Sequence, residues 1–296
     1  MKIKQNLRKT YNKNYKRLLL IPAILLVLSL GYLFYFYTVT GDFIRKDVSL
    51  TGGTTITLFP ETEVNLNNLK TTLEGSLPDF TVRELSNFRT GRQEAVIVES
   101  SVHSDVLRDV LEDFLGYDLD EGNSNIEFTG SSLSGSFYKQ LRISVILSFI
   151  LMAIVVFLIF RTFIPSLAAV LSAFADIMMT LAFVNLLGIR VSSAGIIAFL
   201  MLIGYSVDTD IMLTTRLLKR RGRERSLTQA FKTGITMTLT SIAAISVALF
   251  ITKSFSDVLG QILTIILIGL VFDILNTWIT NASILKWYLE RKEARL

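Results

Sequence analysis

The sequence predicts an α-helical polytopic membrane protein with six transmembrane helices and one α+β, ferredoxin-like external domain inserted after the first of them. Three observations carry this. Of the 296 residues 51% are hydrophobic and mean hydropathy is +0.50, above what a soluble domain of this length reaches. Six apolar runs have the length of a bilayer-crossing helix, about 20 residues. Residues 38–141 form the one long polar segment, and its pattern alternates strands and helices.

The first run is Leu18–Tyr37, behind a basic tail, residues 1–17. It ends in Tyr32, Phe34, Tyr35, Phe36 and Tyr37 and not in a small-x-small cleavage site, so it reads as an uncleaved anchor. The other runs are Ile143–Phe160, Pro165–Leu187, Val191–Leu213, Gly234–Ile251 and Val258–Leu285, giving helices two to six within residues 142–289. The last exceeds one span and is expected to continue as an amphipathic tail, with Trp278, Trp287 and Tyr288 near the interface. Residues 290–296 are a short tail.

Orientation follows from Lys and Arg near the span ends. The N-terminal tail carries Lys2, Lys4, Arg8, Lys9, Lys13, Lys16 and Arg17. The loop after span four carries Arg216, Lys219, Arg220, Arg221, Arg223, Arg225 and Lys232, and the C-terminus Lys286, Arg291, Lys292 and Arg295. The short loops of the other side hold only Arg190 and Lys253. Both termini are therefore expected in the cytoplasm, the chain in the cell membrane and residues 38–141 outside. Basic residues at span ends point to membrane lipids as neighbours and away from nucleic acid.

The polar segment holds 17 Asp and Glu against 8 Lys and Arg. Thr54–Phe59 alternates and is rich in threonine, so it reads as a strand. Leu66, Leu69 and Leu73 have helical spacing. Phe80–Leu85 and Ala95–Glu99 read as strands, with Asn87–Arg92, which contains Gly91, as the turn between them. Ser104 is placed to cap a helix whose Val106, Leu107, Val110, Leu111 and Phe114 share a face, and Gly116 ends it. Asn125–Thr129 is a final short strand. The order β-α-β-β-α-β is the split βαβ pattern of ferredoxin-like domains. Ser131–Ser136, serines interspersed with Gly135, reads as a flexible linker or an ordered loop leading back to the membrane. Gly52-Gly53, before the first strand, permits positive φ and close backbone approach.

The residues that carry chemistry are acids inside the spans: Asp176 in span three, Asp208 and Asp210 in span four, Asp273 in span six. No Lys or Arg lies inside any run. An aspartate at the bilayer centre costs about 2.5–3.5 kcal/mol even on the lenient insertion scale. These acids must therefore face protein or water, or carry protons. Asp208 and Asp210 lie about 200° apart around a helix and cannot share a face. Asp208, one turn after Gly204, ranks first for proton handling, Asp176 second, with Asp210 nearer the cytoplasmic end. Asp273 could instead orient Asn276. Thr233, Thr236, Thr240 and Ser241 of span five could relay protons, although such hydroxyls more often bond their own helix backbone. The bland alternative is that each acid is neutral and only holds helices in register.

With no cysteine and the single His103, thiolate sites and metal sites built on several histidines are excluded. His103 reads as a surface residue at a helix start. No catalytic triad, phosphate loop or nucleotide motif appears, so neither an enzyme nor a cofactor is expected.

The run Ile203–Arg216, with Gly204, Tyr205 and Ser206 followed by Val-Asp208-Thr-Asp210, resembles the fourth-span motif of the SecD/SecF protein-export family in its archaeal SecF form. Asp208 matches the acid that SecD places after a Val, and Asp210 stands where SecD has Asn. Thr209 occupies the place of the bacterial SecF acid. Asp47–Thr54 resembles the Gly-Gly-Thr signature that opens the external domain, with Gly52 and Gly53 as its glycines. The resemblance, within the resistance-nodulation-division superfamily, covers nearly the whole chain. It implies an auxiliary protein-export subunit that works with SecD, the Sec translocon and the exported polypeptide, driven by proton or sodium flow. It also implies half of a two-fold transporter, the partner supplying the other half. Two alternatives differ in kind: a half-unit exporting small molecules or lipids, and a passive assembly scaffold.

Overall fold

The structure, a computed structural model, describes residues 15–87, 90–219, 223–252 and 256–294. The basic residues of positions 1–14 and Arg220, Arg221, Lys253 and Arg295 lie outside the described residues.

Helix α1 (Leu20–Thr40) ends at Gly41, whose left-handed conformation closes the last turn onto Tyr37. A single turn, α2 (Val48–Thr51), is capped by the buried Asp47, which accepts from Val48 N–H. The α+β domain follows: β1 (Gly53–Leu58), α3 (Leu66–Ser76), β2 (Thr81–Ser86), β3 (Gln93–Ser100), α4 (Ser104–Leu115) and β4 (Ser124–Thr129). The sheet is antiparallel in the order β2-β3-β1-β4, the ferredoxin-like arrangement. Ile56 stands between Val98 and Ile126. With Leu58, Leu69, Leu73, Val96, Leu107 and Leu111 it fills the core between sheet and helices. Burying each of these aliphatic side chains stabilises the domain by about 1.5–3 kcal/mol.

Two local expectations are corrected. The cap of α4 is His103, which gives no side-chain cap bond, and Ser104 is the first helical residue. The chain turns helical one residue early, with the exposed His103 ring against Phe128 at 4.6 Å. The Ser131–Ser136 stretch is no linker: it is the opening of helix α5 (Ser131–Phe160), which runs unbroken into the second span.

The remaining helices are α6 (Phe163–Leu186), α7 (Ser193–Lys219), α8 (Arg223–Thr252), α9 (Asp257–Leu275) and α10 (Ala282–Glu293), with a six-residue π turn, Asn276–Asn281, joining the last two. Among the described residues, six helical stretches are long and apolar enough to cross a membrane. Among them α6 and α7 are the most enclosed, while α1, α5 and α8 turn most of their apolar surface outward. Trp278 is enclosed by protein: it is 5% exposed and packs edge-on to Phe231.

The domain is fastened to the helices where the chain enters and leaves it. Gly52 (φ +84°) lies so close to the start of α5 that a Cβ there would stand 2.5 Å from Ser131 Cα. Gly53 (φ +144°) abuts Ser100 and Ser101 in the same way. The loop between α6 and α7 forms a second tie. Asp47 N–H donates to Val191 O (3.1 Å) and Val191 N–H to Arg45 O (2.6 Å), a short parallel bridge. Asn185 Nδ2 donates to Phe43 O at 2.7 Å, and Arg190 reaches Phe80 O and Asp79. Gln261 at the start of α9 holds the same loop through Arg190 O and Ser192.

Beside this root Asp42 accepts from Tyr138 Oη of α5 (2.7 Å) and pairs with Lys46 Nζ (2.6 Å). Burial pushes its carboxyl up, but the bonds from Lys46 and Tyr138 and the charge of Lys46 outweigh that and hold it below the ordinary value. A lowered carboxyl contributes stability that is complete above its unfolded pKa and is lost as pH falls through the folded one. The thermal stability of the wild type should therefore exceed that of Asp42→Asn by a constant margin at neutral pH. That margin should close in acid, below the ordinary aspartate range; a gap independent of pH would show that the pair contributes nothing.

Candidate functional site

Helices α6, α7 and α9 bring three of the four intramembrane acids into one layer. Asp176 and Asp210 are fully buried and Asp273 is 1% exposed. Asp176 Oδ2 accepts from Ser206 Oγ at 2.5 Å, and its Oδ1 from Asn276 Nδ2 at 2.7 Å. Asp210 Oδ1 accepts from Asn281 Nδ2 at 2.7 Å. Asp273 lies 3.0 and 3.2 Å from Thr209 Oγ1.

Thr277 closes the layer. Its Oγ1 is 3.0 Å from Asp210 Oδ1 and 3.0 Å from Asp273 Oδ1. A hydroxyl has one hydrogen to give and lone pairs to receive with. Thr277 can donate to one carboxylate only; the other contact is a hydrogen bond only if that acid carries a proton and donates it to Thr277. The arrangement is thus satisfied by one proton shared between Asp210 and Asp273, and reversing both bonds moves it from one acid to the other.

The π turn positions these groups. In it Asn276 is bonded to Thr280, and Thr277 and Asn281 both meet Asp210. The first pair serves Asp176, with Thr280 Oγ1 donating to Asn276 Oδ1 at 3.3 Å. The second serves Asp210. Asn276 was expected to answer to Asp273; it is held by Asp176 instead. The sequence signal for this element was the pair Asn276-Thr277 repeated in reverse as Thr280-Asn281 within an apolar run.

Asp208 stands apart. It is exposed, and among the described residues it has no hydrogen bond or ion pair. It shares an outward stripe of α7 with Ile197, Met201, Gly204 and Tyr205, at helical spacing. Gly204 has nothing within 4 Å of where a Cβ would be. The Gly-Tyr-Ser motif is therefore split between two faces: Gly204 and Tyr205 outward, Ser206 inward onto Asp176. The span-five hydroxyls do not join the layer. Thr233, Thr236 and Thr240 each donate to their own helix backbone.

No Lys, Arg or His among the described residues pairs with Asp176, Asp210 or Asp273. Nor do acids among the described residues converge on a point as ligands of a metal ion would. They are strung together through hydroxyls and amides.

Residues 110–291 match the family described as "Protein export membrane protein SecD/SecF, C-terminal". The chain belongs to the SecD/SecF family. Curated relatives agree along its whole length. The protein-export membrane protein SecF of Methanocaldococcus jannaschii is 38% identical over 290 residues, 96% of this chain and 99% of that one. SecF of Pyrococcus furiosus is 33% identical over 99% of this chain and 97% of its own length. Among solved structures, SecDF of Thermus thermophilus, described as a translocon-associated membrane protein, superposes with a TM-score of 0.70 at 20% identity. A form of SecDF described as super-membrane-facing gives 0.56 at 18%. These likenesses show the fold. The match covers 93% of this chain and 38% of the first SecDF chain.

Proposed function

We infer that this chain is an auxiliary subunit of the Sec protein-translocation apparatus, and that Asp176, Asp210 and Asp273 carry protons through its share of the membrane. The family membership supports the first part. The single observation behind the second is Thr277, one hydroxyl between two buried carboxyl groups at equal distance. Three acids with no basic partner among the described residues are stable in a bilayer when protonated, and their hydroxyl links allow the proton to pass on. The hydroxyl-linked string favours protons over sodium, which needs several oxygens around one point.

Asp208 has a different role in this reading. A carboxyl on an outward stripe halfway along a span is not left to lipid. With Gly204 allowing close approach, the stripe is the surface that a partner helix covers, and SecD is the partner. The α+β domain is then on the outer side with both termini in the cytoplasm, placed to meet the exported polypeptide, while the outward-turned apolar helices meet lipid. The exporter alternative is disfavoured by the domain's size: one ferredoxin-like unit leaves no room for a substrate pocket.

The test is release of a secreted protein from cells lacking this chain, complemented at equal expression. Asp210→Asn and Asp273→Asn should fall to the level of the deletion while still co-purifying with SecD. Asp208→Asn should instead weaken co-purification. Full export by both Asp210→Asn and Asp273→Asn would leave the scaffold reading standing.

A further inference from the structure

The sheet of the α+β domain ends in β2 on one side and β4 on the other, and the two edges differ. The β2 edge is protected twice. A bulge breaks its register between Leu85 and Ser86, and Arg190 of the α6–α7 loop donates to the carbonyl of Phe80 at its start. The β4 edge has neither device. Its six residues pair with β1 without a shift, and none of them is proline.

The register shows which backbone groups that edge offers. Phe59 N–H donates to Asn123 O at 2.8 Å, and the β1–β4 ladder continues from this pair, with Thr57 opposite Asn125 and Thr55 opposite Glu127. Bonded pairs alternate with unbonded ones in an antiparallel ladder. Asn125 and Glu127 therefore turn their N–H and C=O groups to β1, while Ser124, Ile126 and Phe128 turn theirs away. The outward N–H of Ser124 is taken by Asp120 O at 2.9 Å. Among the described residues no backbone group answers those of Ile126 and Phe128.

The side chains along the edge narrow the partner. Phe128 is 52% exposed, with the His103 ring against it. Val106, one turn after His103 on α4, and Leu133, in the first turn of α5, are exposed as well. Residues 117–138 carry Asp118, Asp120, Glu121 and Glu127 and no Lys or Arg. A free edge bonds to backbone, which every sequence has, so it takes an extended segment with little regard to its side chains. A folded protein has nearly all of its own backbone paired already; a chain that has not yet folded does not. The acidic flank favours a neutral or basic segment.

We propose that β4 takes up an extended, neutral or basic segment of the exported polypeptide as a fifth strand, bonded to the outward groups of Ile126 and Phe128. The inference rests on the reading of this chain as an export subunit with its domain outside, and it names the surface of that domain that meets the polypeptide. Four backbone groups on two residues give a weak hold that a passing chain can leave.

A photoreactive benzophenone amino acid at Asn125 of the full chain, assembled with SecD, tests the contact in cells whose secreted protein is stalled part-way through export. The same group at Glu84 on β2 and at Thr71 on α3, both exposed, gives the background. Asn125 should capture at least about fivefold more of the stalled polypeptide than either control. Equal capture at all three positions, or capture at Asn125 of SecD or a second copy alone, overturns the proposal. Phe128 then separates backbone from side chain. Phe128→Pro removes an outward N–H and leaves the bonds to β1 in place, while Phe128→Ala keeps the N–H and removes the ring. Capture at Asn125 should fall about fivefold or more with proline and less with alanine. A proline variant that co-purifies with SecD and captures as the wild type does overturns strand addition; if it fails to assemble, the Asn125 comparison decides alone. Export is read separately. Undiminished export by cells lacking the chain refutes the export reading whatever Asn125 captures, whereas export that needs the chain with Asn125 at background refutes this surface alone.

Discussion

Gly53→Ala should destabilise the α+β domain at the start of its first strand. Its Cβ would stand 2.3 Å from Ser100 O and 2.8 Å from Ser101 Cα, both backbone atoms held by the β1–β3 ladder. Gly52→Ala meets the same obstacle 2.5 Å from Ser131 Cα. Neither neighbour can swing away as a side-chain end could. Overpacking and the positive φ together should cost about 2–5 kcal/mol. Gly41→Ala separates the two effects, since Gly41 has φ +75° but open space around it; it should cost only the backbone share, about 1–2 kcal/mol. Thermal unfolding of the full chain in detergent measures the difference. If Gly53→Ala and Gly41→Ala melt alike, the close approach is not what holds the domain.

Gly234→Ala should impair export without touching an acid. Its Cβ would stand 2.3 Å from Trp278 Cζ2 and 2.8 Å from Met212 Cε. The indole is buried, with Phe231 against its ring, so relief requires the π turn itself to move. That turn carries Asn276, Thr277 and Asn281, the groups that hold all three acids. Stability should fall by about 1–3 kcal/mol, and export at equal expression should fall towards the deletion. Adding Trp278→Phe removes the atoms in collision and should restore part of both. Wild-type export by Gly234→Ala would mean that the π turn does not set the geometry of the acid layer.

Much of this architecture is legible in the sequence, for identifiable reasons. Hydropathy marks the spans because the bilayer demands a minimum apolar length, and the leucine spacing of Leu66–Leu73 and the alternation of Thr54–Phe59 mark the domain because each reflects one buried face. Asp176, Asp210 and Asp273 stand out because a charge in an apolar run needs an explanation. Their grouping is not legible, because it depends on how three helices meet. The 200° between Asp208 and Asp210 shows that they part, but not which turns inward; that is decided by Ser206 and Thr209 finding Asp176 and Asp273. Ser131–Ser136 reads as a linker because serine and glycine are weak helix formers; packing of its first turn against Gly52 overrides that preference. The π turn is set by tertiary contacts and has no local code beyond its paired polar residues.

The loop that grips the root of the domain joins α6 to α7, the two helices that hold Asp176 and Asp210. Its Val191 is bonded on both sides to the strand-like segment at Arg45–Asp47, and its Arg190 extends to Asp79 and Phe80. The other chain crossing is a continuous helix of 30 residues, about 45 Å long, that starts at the base of the domain and runs along the outside of the bundle. A tilt between α6 and α7 would therefore be passed through the α6–α7 loop directly to the root of the domain.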